Sequence, residues 1–244
     1  MLGEIDQIPS ALVNAEMRHR AACTEIAARF AGRRPRFIAT IGRGSSDHVS
    51  TFLRYAFELT LGVPGVSIAP SIASVYGGQL QLDDALCLVV SQSGQSPDIR
   101  QAAAMAKRGG AIVAAIVNDE MSPLAEQVDF VIPIGAGPEI AIAATKSFVN
   151  SAAAGLRLLA ILASDDRLSA ALDALPQRMT KPVDLPDLKA VLAARTAFIV
   201  GRGPALGIAG EAALKLKASS TNGNDLRDAF RSGTAPSRSW MSAG

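Results

Sequence analysis

Three serines crowd the turn Ser91-Gln92-Ser93-Gly94-Gln95-Ser96, between the apolar run Leu86-Cys87-Leu88-Val89-Val90 and the pair Pro97-Asp98. An apolar run bounded by small polar residues suits a strand covered on both faces. Ser96 suits a helix N-cap, Pro97 the first helical position, and Asp98 the positive helix end. The order strand, Ser/Gly turn, capped helix brings hydroxyls and backbone N–H groups to the C-terminal edge of a sheet, beside a helix N-terminus. That is a place for an anion, and phosphate is the anion it suits; the alternative reading is that the serines and glycine simply make a polar turn. Two further turns have the same setting: Gly42-Arg43-Gly44-Ser45-Ser46-Asp47 after residues 37–41, and Gly135-Ala136-Gly137-Pro138-Glu139 after residues 130–134. All three follow strands, so they can converge on one pocket. Asp47-His48 reads as half of a proton relay or, preferably, as the polar edge of a helix. Glu139 either points into the pocket or caps the next helix. Thr145-Lys146 either holds an anion or lies on a solvated face.

The elements that must position these turns alternate along the chain. Helices are expected over residues 9–31, from the second turn to about Leu61, over 97–107, over 123–127 and over 143–162. Strands are expected over 37–41, 66–69, 86–90, 111–117 and 130–134, with a loop at 70–78. Such alternation predicts an α/β fold, a parallel sheet between helices, with its site at the strand C-terminal ends. Residues 164–188 read as a helix plus linker. Phe198-Ile199-Val200-Gly201-Arg202-Gly203 echoes residues 37–44, and a helix over 204–217 follows, so a second α/β unit is expected to begin near residue 188. From Ala218 the chain shows no apolar period and is expected to be poorly ordered.

With 49% hydrophobic and 19% charged residues, the 244-residue chain can form a sizeable core. A net charge of +2 gives no case for a nucleic-acid or membrane surface. Charged residues interrupt every long apolar run, and the first ten residues carry acids where a signal peptide would carry bases, so a cytoplasmic protein is expected. Cys23 and Cys87 read as buried thiols, and His19 with His48 cannot build a zinc site; no metal or other cofactor is expected. Asp47 stands where a dinucleotide loop needs its third glycine, and no glycine precedes Ser93 by two residues as a hydrolase elbow requires.

Five segments together resemble the sugar isomerase (SIS) domain family: EIDQIPSAL (residues 4–12), GRGSSDHVSTFLRYAFE (42–58), SQSGQSPD (91–98), GPEIAIAATKSF (137–148) and EAALKLK (211–217). Within it they are similar to the isomerase half of the glutamine–fructose-6-phosphate aminotransferases and to amino-sugar-phosphate deaminases that lack the glutaminase half. The resemblance implies tandem domains, each a three-layer αβα unit with a five-stranded parallel sheet. The expected boundaries are an N-terminal helix (1–34), a first SIS domain (35–165), a linker (166–187), a partial second domain (188–217) and a divergent tail (218–244). It implies that Ser45, Ser91, Gln92, Ser93 and Ser96 hold the phosphate and sugar, and that Ile142 and Ala144 line the sugar. The implied chemistry is ketose–aldose isomerisation, with a carboxylate moving the proton, a lysine beside it and a histidine opening the ring. Homodimerisation is implied too.

Several positions depart from the family pattern. Lys215 matches the assisting lysine, but Ala218 stands where the glutamate base is expected, and no histidine follows His48. Leu2 stands where a glutaminase needs its cysteine nucleophile. Back-translated in GC-rich codons and read two bases later, residues 232–244 give GHGPIALVDERG, the family's histidine segment. The tail is therefore expected to be an out-of-frame product, which sequencing the coding DNA would check. The expectation is sugar-phosphate binding with an incomplete catalytic half. The alternative is a non-catalytic sugar-phosphate sensor; residues 1–35 offer one long helix and no helix-turn-helix for DNA binding.

Overall fold

The computed structural model describes residues 2–141, 144–181 and 198–219. Five strands form one parallel sheet: β1 (Ile38–Ile41), β2 (Gly65–Ser67), β3 (Leu86–Ser91), β4 (Ile112–Val117) and β5 (Phe130–Pro133), in the order β2-β1-β3-β4-β5. Every residue of β1 and β3 is buried, because helices cover both faces. The side chains of β3 divide by the two-residue period. Leu86, Leu88 and Val90 meet one layer, while Cys87 and Val89 meet the other. The first layer is α2 (Ile8–Arg29), α3 (Ser45–Leu61) and α6 (Lys146–Ala163), and the second is α4 (Ser71–Ser74) with α5 (Pro97–Arg108). This is the expected three-layer α/β architecture.

Several boundaries differ from the sequence expectation. A short α1 (Leu2–Ile5) precedes α2, and α4 occupies part of the expected loop. Residues 123–127 form turns and no helix. Helix α6 begins at Lys146 and not at 143, because Glu139 supplies its cap. The region after α6 carries α7 (Asp166–Asp173) and α8 (Leu175–Arg178). Residues 198–200 form no strand, and Phe198 and Val200 are exposed, with no partner strand beside them among the described residues. The following helix, α9 (Ala205–Ser219), packs along α3. Its close approach depends on Gly207, where a Cβ would stand 2.9 Å from the Phe52 backbone nitrogen. The expected tail from 220 onward, and most of the expected linker, lie outside the described residues.

Helix α6 is the one described helix long and apolar enough to cross a membrane. Here it is a core helix, with Ala154, Leu158 and Leu159 buried against the sheet layer. Arg157, fully buried on it, donates to Glu16 of α2 (2.8 Å) and Asp173 of α7 (2.6 Å), so one guanidinium ties three helices together. Cys23 and Cys87 are buried free thiols, and burial pushes both up to about 12.

His19, on α2, is only 2% exposed. Burial, opposed by the Pro133 carbonyl and helped by the nearby Arg157 charge, holds its imidazole down to about 4. The unfolded chain therefore binds this proton first. Stability is full above the unfolded value of 6.5 and declines as pH falls from there towards 4. Urea unfolding should show a loss of about 3 kcal/mol over that window from this group alone. His19→Gln should remove that slope; an unchanged slope in the variant would refute the assignment.

Candidate functional site

Strands β1 and β3 are neighbours, and the turns after them open at the same sheet edge. The first turn leads into α3, whose first residues are Ser45 and Ser46. The second turn leads into α5 through Ser96 and Pro97. The third leads from β5 into α6. The first two turns and the end of the connection into α6 enclose a crevice of about 200 Å³, lined by Arg43, Ser45, Ser46, Gln92, Ala144 and Ser147 among others; no residue of the turn at 135–139 itself lines it. Helix α3 begins in this lining with Ser45 and Ser46, and the start of α6 lies beside it, so two positive helix ends border the space. Arg43 reaches across to Asp98 in the first turn of α5 (2.7 Å), tying the first turn to the second.

The turn after β3 is held by its own serines. The Gly94 N–H donates to the Ser91 hydroxyl oxygen (3.2 Å), and the Gln95 N–H donates to that of Ser93 (3.3 Å). Ser91 is buried and Ser93 exposed. Ser96 occupies the N-cap position in extended backbone, yet its side chain makes no capping hydrogen bond. Of the residues expected to bind, Ser45, Gln92 and Ala144 line the crevice, while Ser91, Ser93 and Ser96 lie in the Gln92 turn outside its lining. Ile142 lies outside the described residues.

Glu139 resolves its two readings by capping. Its carboxylate accepts from the backbone N–H of Thr145 (2.7 Å) and Lys146 (2.7 Å), the Thr145 hydroxyl (2.9 Å) and the Ser147 hydroxyl. Burial pushes the carboxyl up, but donation from Ser147, Thr145 and Lys146 outweighs it and holds the pKa below the usual range. The same carboxylate also accepts from Gln92 Nε2 (3.4 Å), so cap and crevice wall meet in one group. Thr145-Lys146 is no solvated face: Thr145 is buried, and Lys146, 3% exposed, donates from Nζ to Gln7 Oε1 (2.7 Å) and the Pro138 carbonyl (2.8 Å).

Helix α9 reaches both walls of the crevice. Ser45 Oγ donates to Glu211 Oε1 (2.9 Å), and Lys215 pairs with the same oxygen. The Lys215 ammonium lies 5.0 Å from the ring of Phe148, itself a lining residue. Lys215 is thus beside the crevice but outside its lining. Ala218 falls in the last turns of α9. His48, on α3, faces α9 at Gly210, where an added Cβ would stand 2.7 Å from its Nδ1. Sequence reasoning passed over Arg43, Ser46, Ser147, Phe148 and Ser151 as lining residues and Glu211 as Ser45's partner. Ser147 and Ser151, four apart at the start of a helix, carried a legible signal of a shared face. So did Glu211 and Lys215.

A family model described as SIS domain matches residues 33–161, more than half of the chain. The chain is 34% identical over 192 residues to a glutamine–fructose-6-phosphate aminotransferase of Gluconobacter oxydans, covering 71% of this chain and 31% of that protein. It is 30% identical over 184 residues to one from Sulfurisphaera tokodaii, covering 74% and 31%. The chain thus spans about a third of the length of these curated relatives. Among solved structures it is similar to one provisionally assigned as a phosphosugar isomerase from Silicibacter pomeroyi. That match has a TM-score of 0.84, 49% identity, and covers 88% of this chain and 67% of the other. The fold is shared with the C-terminal domain of glucosamine-fructose-6-phosphate aminotransferase from Francisella tularensis, at a TM-score of 0.69 and 23% identity over 89% and 66% of the two chains. A five-stranded parallel sheet with three Ser- and Gly-rich turns at one edge, matched over its length by that family model, makes this chain a member of the SIS domain family.

Proposed function

We propose that the crevice binds a hexose or amino-sugar 6-phosphate. The observation that carries this reading is the convergence of Ser45, Ser46, Gln92 and Ser147 on one space bordered by helix N-termini. Hydroxyls and an amide complement a polyol, and the positive ends of two helices complement a dianion. The two ends of the ligand are distinguishable. A carboxylate only accepts, so Ser45 gives its single hydrogen to Glu211 and offers a ligand lone pairs alone. Ser45 then receives a sugar hydroxyl, and the phosphate falls to the Gln92 turn, where Ser96 makes no capping bond.

The relatives named above point to aldose–ketose isomerase or aminotransferase chemistry, and the sequence resemblance adds deaminase chemistry. A methyl group at Ala218 cannot accept the carbon-bound proton that such chemistry moves, so binding with little or no turnover is the reading for this chain. Thermal unfolding with fructose 6-phosphate or glucosamine 6-phosphate tests it. At a ligand concentration a hundredfold above Kd, stabilisation of about 2.7 kcal/mol is expected. That corresponds to a rise in Tm of about 5–10 °C for a chain of this size. No rise with either phosphate, or an equal rise with unphosphorylated glucosamine, would overturn the proposal. Robust isomerisation of either sugar phosphate would overturn the statement on turnover.

A further inference from the structure

We propose that Glu4 and Gln7, at the start of the chain, are positioning residues for the crevice; the inference rests on the sugar-phosphate reading above. The connection from β5 to α6 supplies one wall of the site through Ala144 and Ser147 and carries the cap Glu139. The connection is anchored at its start by the buried Ile134 and Ala136, but further along Ile140 is 92% exposed. Asn118 holds Ala136 and Gly137, and beyond them polar bonds tie the connection to the N-terminal segment. The Glu4 carboxylate accepts from two successive backbone N–H groups, Ile140 (2.6 Å) and Ala141 (3.2 Å). Gln7 Oε1 accepts from the buried Lys146 ammonium (2.7 Å), which also donates to the Pro138 carbonyl on the same connection (2.8 Å).

Lys146 is therefore a buried cation held between the segment and the connection, and it sits between lining residues Ala144 and Ser147 in sequence. An ammonium taken out of water needs acceptors to replace its hydration. Without Gln7 it keeps the Pro138 carbonyl and must move to find another acceptor, carrying the first turn of α6 with it. Gln7 and Glu4 act on the crevice through the connection. Their role is to pre-organise the wall, so their loss should appear in affinity, because a ligand must then pay for ordering it.

Calorimetric titration of the full chain with fructose 6-phosphate and glucosamine 6-phosphate tests this, using wild type, Gln7→Ala, Gln7→Glu and Glu4→Ala. Gln7 is exposed, so its replacement leaves the core intact. Gln7→Ala and Glu4→Ala should each weaken binding about tenfold through lost pre-organisation. Gln7→Glu keeps an oxygen acceptor for Lys146 and should bind within about twofold of wild type. A purely structural role would not give that acceptor-specific rescue of affinity. Tight binding by Gln7→Ala and Glu4→Ala, or binding by Gln7→Glu as weak as by Gln7→Ala, would overturn the positioning role while leaving the site reading intact. Absence of binding by wild type itself would instead remove the sugar-phosphate reading, and this inference with it.

Discussion

Glu139→Ala should destabilise the protein by about 3 kcal/mol and weaken sugar-phosphate binding at least tenfold, roughly the cost of orphaning several buried donors at once. Thr145 takes the N-cap position of α6 but makes no capping bond with its own side chain. The carboxylate of Glu139 does that work from six residues upstream, accepting from Thr145, Lys146 and Ser147. Thr145, Lys146 and Ser147 are all buried, so water cannot readily replace the lost acceptor. Two of the consequences fall on the crevice, since Ser147 lines it and Gln92 donates to the same carboxylate. Glu139→Gln, which keeps one acceptor oxygen and loses the charge, should cost less than the alanine variant.

The acid limb of stability gives an independent reading of the same group. Because the folded carboxyl titrates below its ordinary value of 4.5, its contribution is full above that value and is lost as pH falls through the folded pKa. Denaturant unfolding from pH 6 downward should therefore be flatter near the bottom of the range in Glu139→Ala than in wild type. Equal slopes would show that Glu139 is not the capping charge.

Gly94→Val should disable the second turn more completely than loss of any one serine. Gly94 has a φ of +62°, the left-handed region that a β-branched residue strongly resists. Space is closed as well as conformation: a Cβ there would stand 2.5 Å from the Cβ of Ser122, which is fully buried. Strain and overlap together should cost about 2–4 kcal/mol. The turn must open to relieve them, breaking the bond from the Gly94 N–H to Ser91 and displacing Gln92 from the crevice. Sugar-phosphate affinity should fall by two orders of magnitude or more, of the order expected when a pre-organised anion site is lost. Retained affinity in calorimetry would mean that the phosphate is not held at this turn.

Much of the fold was legible because the pattern is local. Residues 86–90 are apolar without alternation, and only a strand covered on both faces has use for that, as β3 is. Pro97 and Gly109-Gly110 bracket α5 as start and stop signals should. The expected helix at residues 123–127 failed because so short a run has no periodicity to exceed the tendency of Ser122-Pro123 to turn. The echo of β1 at residues 198–200 is equally real as sequence, but a strand exists only by pairing, and no described strand lies beside it.

What the sequence determined by itself, then, was the alternation of elements, the sheet edge to which the three turns belong, and the hydroxyl-rich chemistry of those turns. Each follows from steric and hydrogen-bonding preferences within a few residues of chain. What only the tertiary structure decided was the role of each polar side chain. Glu139 caps α6, Lys146 is buried against Gln7, and Ser45 gives its hydrogen to Glu211, 166 residues away. A hydroxyl, an ammonium or a carboxylate takes its meaning from the partner it finds. For these three groups folding supplied that partner from another element, or set which of several neighbours would be reached.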